Sequence, residues 1–125
     1  MDILTLIDKF FTAIENKDTD TVADIYGADA KIWHNFTNRI QSKAENLKTL
    51  QGLCDQVPEL HYDIIERHQL SASRVVQRHI LRAVSAAEEV CIPACIFIEV
   101  ADNKIIQIEE YLDTGQTKKL MNLKT

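Results

Sequence analysis

The period of the chain changes at Pro58, and that change limits the fold more than anything else in the sequence. Residues 60–70, 74–84, 90–100 and 105–112 each read as a long strand, rich in Val, Ile, Tyr and Phe and bounded by polar turns. The turns are short: Ser71-Ala72-Ser73, residues 86–89, and Asp102-Asn103-Lys104. Strands joined by so few residues pair antiparallel, because a parallel return needs a crossover of a dozen residues or more. The C-terminal part is therefore expected to be a four-strand meander.

Before Pro58 the apolar residues fall at helical spacing. Ile3, Ile7, Phe10, Phe11 and Ile14 share one helix face, with Asp2 as its N-cap. That helix is expected to end near Asn16-Lys17. Asp18 or Thr19 caps a second, shorter helix bearing Val22, Ile25 and Tyr26, with Gly27 as its stop. Residues 31–36 read as a short strand and 37–41 as a polar loop. Ser42-Lys43-Ala44-Glu45 is a capping-box pattern that opens a third helix through Leu47, Leu50, Cys54 and Val57, ended by Pro58. Helices segregated from an antiparallel sheet define the α+β class. No linker or repeat interrupts residues 1–125, so one domain is expected.

The strand 91–100 is apolar on both faces. Cys91, Pro93, Cys95 and Phe97 point one way; Ile92, Ala94, Ile96 and Ile98 point the other. An antiparallel sheet usually leaves one face to water. The helices can cover one face here, and a second copy of the chain is the simplest cover for the other, which predicts a homodimer through the outer sheet face.

Charge removes some classes of function. The net charge is −5 and the 14 Lys and Arg are scattered, which argues against nucleic-acid binding. No apolar run is long enough to span a membrane, and the first residues carry no secretory pattern. The three cysteines have no framework spacing. Cys91 and Cys95, four residues apart on one strand, would lie roughly 13 Å apart, too far for a disulfide. A cytoplasmic protein with reduced thiols is expected.

The order of motifs carries a resemblance. Phe10-Phe11-Thr12-Ala13-Ile14 is followed by Asp18, then by Tyr26-Gly27-Ala28-Asp29-Ala30 and Ile32-Trp33-His34-Asn35. Near the other end, Asn103-Lys104-Ile105 leads into Glu110-Tyr111-Leu112-Asp113. This layout resembles the nuclear-transport-factor-2-like superfamily and, within it, the SnoaL-like proteins. The resemblance implies a cone-shaped, curved antiparallel or mixed sheet wrapped around a helical hairpin and a third helix, a cystatin-like α+β barrel with a deep cavity. It also implies that His34 stands where ketosteroid isomerases place their general-base Asp. Phe10 and Cys95 stand where those enzymes need a Tyr and a protonated Asp, so the resemblance does not imply ketosteroid isomerisation. Asp113 matches one Asp of the limonene-epoxide hydrolase set, but His79 and Leu81 replace its Arg and other Asp. SnoaL-like polyketide cyclases use an acidic residue and a His, and Tyr111-Leu112-Asp113 fits that pattern best.

Strand parity, taken alone, puts Gln77, His79 and Leu81 on one face, and Gln107, Glu109, Tyr111 and Asp113 on one face of the last strand. Buried carboxylates need partners, so an acidic row among apolar strands suggests a pocket wall. A solvated face is the alternative. The expected catalytic set is Asp113, His79, His34 and Tyr111. Asp113 would be the base and a His the acid, with Tyr111 donating to a developing enolate oxygen. Asp113 could instead simply cap the tail segment after the last strand. Phe10, Trp33, Gln77, Leu81, Cys95, Phe97 and Glu109 are the expected pocket lining. His61 and His68 are read as exposed. The sequence has no His or Cys spacing for a metal and no glycine-rich phosphate loop. The expected function is cofactor-free acid/base chemistry of cyclase, isomerase or hydrolase type on a small apolar carbonyl compound. The alternative is a non-catalytic ligand-binding or dimerisation module of the same fold.

Overall fold

Helix α1 (Ile3–Glu15) starts where Asp2 accepts the Thr5 N–H at 3.0 Å and buries Leu6, Ile7, Phe10, Phe11 and Ile14. The computed structural model describes residues 1–124. Lys17 takes a left-handed φ of 58° and turns the chain into α2 (Thr19–Ile25), capped by Asp18. Strand β1 (Tyr26–His34) follows at once, earlier than the expected 31–36. Tyr26 is already extended, and Tyr26, Ala30 and Ile32 are buried along the strand. Gly27 therefore lies within β1, without the left-handed φ of a helix stop. The segment expected as a polar loop contains a short edge strand, β2 (Arg39–Ser42), paired antiparallel with β1. Helix α3 (Lys43–Gln56) has both hydrogen bonds of the Ser42–Glu45 capping box.

The meander is β3 (Glu59–Gln69), β4 (Arg74–Val84), β5 (Glu89–Ala101) and β6 (Lys104–Leu112), within a residue or two of the boundaries read from the sequence. Asp102 and Asn103 both have positive φ (52° and 60°), as a two-residue hairpin of the primed type requires. The tail forms α4 (Thr114–Met121). The sheet order is β2-β1-β6-β5-β4-β3. The β1–β6 pair is parallel, so this six-stranded sheet is mixed. Helix α1 packs on β3 at one edge, and α3 packs on β1 and β2 at the other. The sheet and helices thus form an α+β cone that encloses a space.

Packing fixes the phase of each strand. On β4 the inner set is Val75, Gln77, His79, Leu81 and Ala83; on β5 it is Ile92, Ala94, Ile96 and Ile98. Among the described residues no helix is long and apolar enough to cross a membrane.

Candidate functional site

Between sheet and helices lies a cavity of about 460 Å³, lined largely by apolar side chains such as Phe10, Ile14, Leu81, Ile92, Ile96 and Ile108. Exposed Thr37, Thr49, Gln56 and Met121 mark its mouth, between the β1–β2 turn, α3 and α4. A pocket of this size and character is what small-molecule sites usually offer.

Glu110 is the carboxylate of this cavity. Its Oε1 lies 3.0 Å from His34 Nε2 and its Oε2 lies 3.4 Å from His79 Nε2, with a side chain only 13% exposed. The first contact is within hydrogen-bond distance. The second is long and poorly aligned, yet this buried His79 N–H has no other partner. Burial opposes the charge on Glu110, but the hydrogen bonds and charges of the two imidazoles overcome it and pull the carboxyl down to about 2. Glu110 is therefore ionised at neutral pH and is a weak base. His79 is walled in by the rings of Phe11 and Tyr62 at 5.4 and 5.0 Å, and its Nδ1 lies 2.9 Å from Gln77 Nε2. His34 lines the cavity with a side chain 26% exposed.

Two tyrosines complete the interior. Tyr26 donates its hydroxyl to Asn46 Oδ1 at 2.7 Å. Asn46 Nδ2 donates to Gln41 Oε1, and Gln41 Nε2 donates to Thr49 Oγ1, so a polar chain runs up to the mouth. Tyr62 also lines the cavity, held in place where its backbone N–H donates to Glu15 Oε2 at 2.8 Å. No protein hydrogen bond engages the Tyr62 hydroxyl among the described residues. Burial first, and the Glu110 charge second, raise both phenols above their ordinary range, so each keeps its proton.

The structure brings His34 and His79 from the expected catalytic set together on Glu110, while Tyr111 and Asp113 lie at a second, more open hollow that His79 also borders. The cause is register. Ile96 pairs with Glu110 and Cys95 with Tyr111. Ile96 belongs to the buried inner set, so Glu110 turns inward with it and Tyr111 turns outward with Cys95. Tyr111 is 46% exposed and sits edge-on to Trp33 on the outer face, where the Trp33 indole N–H donates to Asn38. Asp113 caps α4, accepting the Gln116 N–H at 2.9 Å.

The expected lining divides in the same way. Phe10 and Leu81 face the cavity, and Gln77 is buried behind it against His79. Trp33, Cys95, Phe97 and Glu109 belong to the outer face, where Arg74 lies 5.1 Å over the Phe97 ring. His61 and His68 are exposed as read, with side chains 40% and 62% accessible.

Glu110 and Tyr62 are the functional candidates that the sequence reading missed. A signal for Glu110 was present: it is flanked two residues either side by Ile108 and Leu112, both on the cavity wall. Among the described residues no cluster of three or more potential ligands could hold a metal ion.

The fold agrees with what comparison finds. A family model for the SnoaL-like domain matches residues 7–108, and the chain belongs to that family, within the nuclear-transport-factor-2-like superfamily. It is similar to PrhC of Penicillium brasilianum NBRC 6234, with a TM-score of 0.83 at 15% identity over 95% of this chain and 85% of that one. A SnoaL-like polyketide-cyclase candidate from Shewanella putrefaciens CN-32 gives a TM-score of 0.81 at 16% identity, over 97% and 96% of the two chains. An LEH-like epoxide hydrolase of M. tuberculosis gives 0.78 at 21% identity, over 94% and 88%. Comparison by sequence with curated proteins returned no match. At these identities the structural likenesses speak for the fold.

Proposed function

We propose that the protein is an enzyme of the SnoaL-like kind that moves a proton on a small, mostly apolar carbonyl compound, by isomerisation or ring closure. The observation that carries this reading is the ionised Glu110 behind His34 in a largely apolar cavity. The His34–Glu110 bond uses Nε2, which leaves Nδ1 as the free basic atom of the ring. Nδ1 takes a proton from the carbon beside the carbonyl, and the C–H electron pair moves onto the carbonyl oxygen as an enolate. Glu110 stabilises the resulting imidazolium as a fixed counter-charge. The Tyr62 hydroxyl is the free donor near this site, and it holds the enolate oxygen. The proton then returns from Nδ1 to another carbon, or to the ring-closed product. His79 supports the pair through Glu110. Nothing in this cycle consumes a cofactor.

Two further statements belong to the same proposal. Ile40, Trp33, Tyr111, Pro93 and Ile65 put apolar groups on an outer face that also carries the Arg78–Glu66 and Arg82–Asp63 ion pairs, and a second copy of the chain is its proposed cover. Sedimentation at micromolar concentration checks this, and a monomer there would refute it. Cytoplasmic residence rests on three free cysteines, one of them exposed.

The catalytic reading is tested by exchange. Small cyclic and open-chain ketones are incubated with the protein in D₂O, and loss of the α-proton signal is followed by NMR. Wild type is expected to accelerate exchange for at least one apolar ketone, and His34→Asn to abolish the acceleration. Equal exchange with and without His34 would refute the proposal.

A further inference from the structure

A second polar line reaches the site from behind, and it decides which atom of His79 carries the proton. Arg67 Nε donates to Gln77 Oε1 at 2.7 Å. Arginine has only donors, so the Gln77 atom facing it must be the amide oxygen. The amide nitrogen is then the atom 2.9 Å from His79 Nδ1. An amide nitrogen only donates, so His79 Nδ1 must accept. The ring proton is left on Nε2, the atom that faces Glu110. Arg67 is itself held by an ion pair from Nη1 to Asp8 on α1. The line runs Asp8, Arg67, Gln77, His79, Glu110, His34. Gln77 and His79 are each only 1% exposed, so water does not offer them other partners.

The backbone builds this on purpose-made geometry. On β3 the inward residues at first are Leu60 and Tyr62. A bulge between Ile64 and Glu66 inserts one residue and reverses the parity, so Arg67 comes to lie beside Gln77. Without the bulge the guanidinium would stand on the outer face with Arg78 and Arg82.

We infer that Arg67 and Gln77 are positioning residues that fix the His79 ring proton on Nε2, facing Glu110, and so leave His34 as the one histidine at Glu110 with a ring nitrogen open to the cavity. His79 Nδ1 is closed off by an amide N–H that Arg67 prevents from turning round. This deepens the proposed function, because a single proton-carrying base both removes and returns the proton. It favours isomerisation and ring closure over a hydrolysis that needs two separate groups.

The test is a long-range ¹H–¹⁵N correlation spectrum of the labelled full chain at neutral pH, without any substrate. In wild type, His79 should show a bare, pyridine-type Nδ1 and a protonated Nε2. Arg67→Met frees the amide and should replace that pattern with mixed tautomers, while Arg67→Lys, which still offers a donor to Oε1, should restore it. Gln77→Glu should move a proton onto Nδ1. A protonated Nδ1 in wild type, or an Arg67→Met spectrum identical to wild type, would overturn the inference. Ketone exchange measured on the same samples separates the two readings. The expected tautomer with no exchange on any ketone condemns the catalytic proposal alone, and exchange with the wrong tautomer condemns the positioning role alone.

Discussion

Glu109 and Glu110 are adjacent and chemically identical, and they lie on opposite faces of β6. Glu109 faces outward beside Gln107, whose amide donates to it at 3.2 Å, and water can replace that contact. Glu110 faces inward, between two imidazoles. The contrast extends along the sheet. Tyr111 is half-exposed against Trp33, while Tyr62 keeps its hydroxyl in the cavity. Residue type decides what a side chain can do, and strand phase decides whether it is placed to do it.

The comparison breaks most sharply by substitution. Glu110→Gln removes the negative partner of two histidines in a buried setting. Losing one member of a buried charged set costs about 3 kcal/mol or more. Urea denaturation should show that loss, and ketone exchange should fall to background. Glu109→Gln should stay within about 0.5 kcal/mol of wild type, as exposed substitutions do. If the two variants were equally stable, the inner and outer assignments would be wrong.

Acid supplies a second contrast of nearly the same size. An ordinary glutamate titrates at 4.5, and Glu110 in the folded chain at about 2. Between those values the unfolded chain binds the extra proton and the folded one does not. Stability from this group is thus complete above about pH 4.5, and is lost as pH falls through the window to about 2. The shift is worth roughly 3 kcal/mol. In denaturant melts between pH 5 and 2, Glu110→Gln should show a shallower slope than wild type. Parallel slopes would mean that the two imidazoles do not hold the carboxylate.

The two tyrosines sharpen the chemistry more than the stability. Tyr62→Phe keeps the ring against Phe11 and His79 and removes only the hydroxyl. Loss of one preorganised donor to an oxyanion lowers the rate about 10²-fold or more. Tyr111→Phe should leave exchange unchanged. A Tyr62→Phe variant with full kcat would assign the oxyanion to another donor, with the Tyr26 hydroxyl already committed to Asn46.

The sequence discloses the elements more readily than their phase. The meander was legible because alternation is local and Pro58, Asp102 and Asn103 punctuate it. The capping box at Ser42 was legible for the same reason. Strand β2 was not, since an exposed edge strand such as Arg39–Ser42 buries too little to leave a pattern. The site was half legible. His79 follows from parity on β4, whose inner set is plain, and His34 from its place in the family resemblance. On β5 both faces are apolar, so that strand does not say whether Cys95 or Ile96 faces the core; the choice between Glu110 and Tyr111 rested on the weaker signal of Ile108 and Leu112 on β6. The β3 bulge that turns Arg67 inward leaves no mark that parity counting can use.

Asp113 gives the smallest effect and a clean discrimination. It is three residues from Glu110, at the end of the same strand, and a base there would be felt by the histidines. Its Oδ1 instead accepts the Gln116 N–H, and its backbone carbonyl accepts from Thr117. Asp113→Ala should therefore cost about 1 kcal/mol, the usual worth of an N-cap. It should also weaken α4, whose Leu120 lies against the cavity. The imidazole signals of His34 and His79 should keep their positions in the ¹H–¹⁵N spectrum of this variant, while Glu110→Gln moves both. If Asp113→Ala moved them as far as Glu110→Gln does, the carboxylate at the strand end would share the site, and the division between the two faces of β6 would not hold.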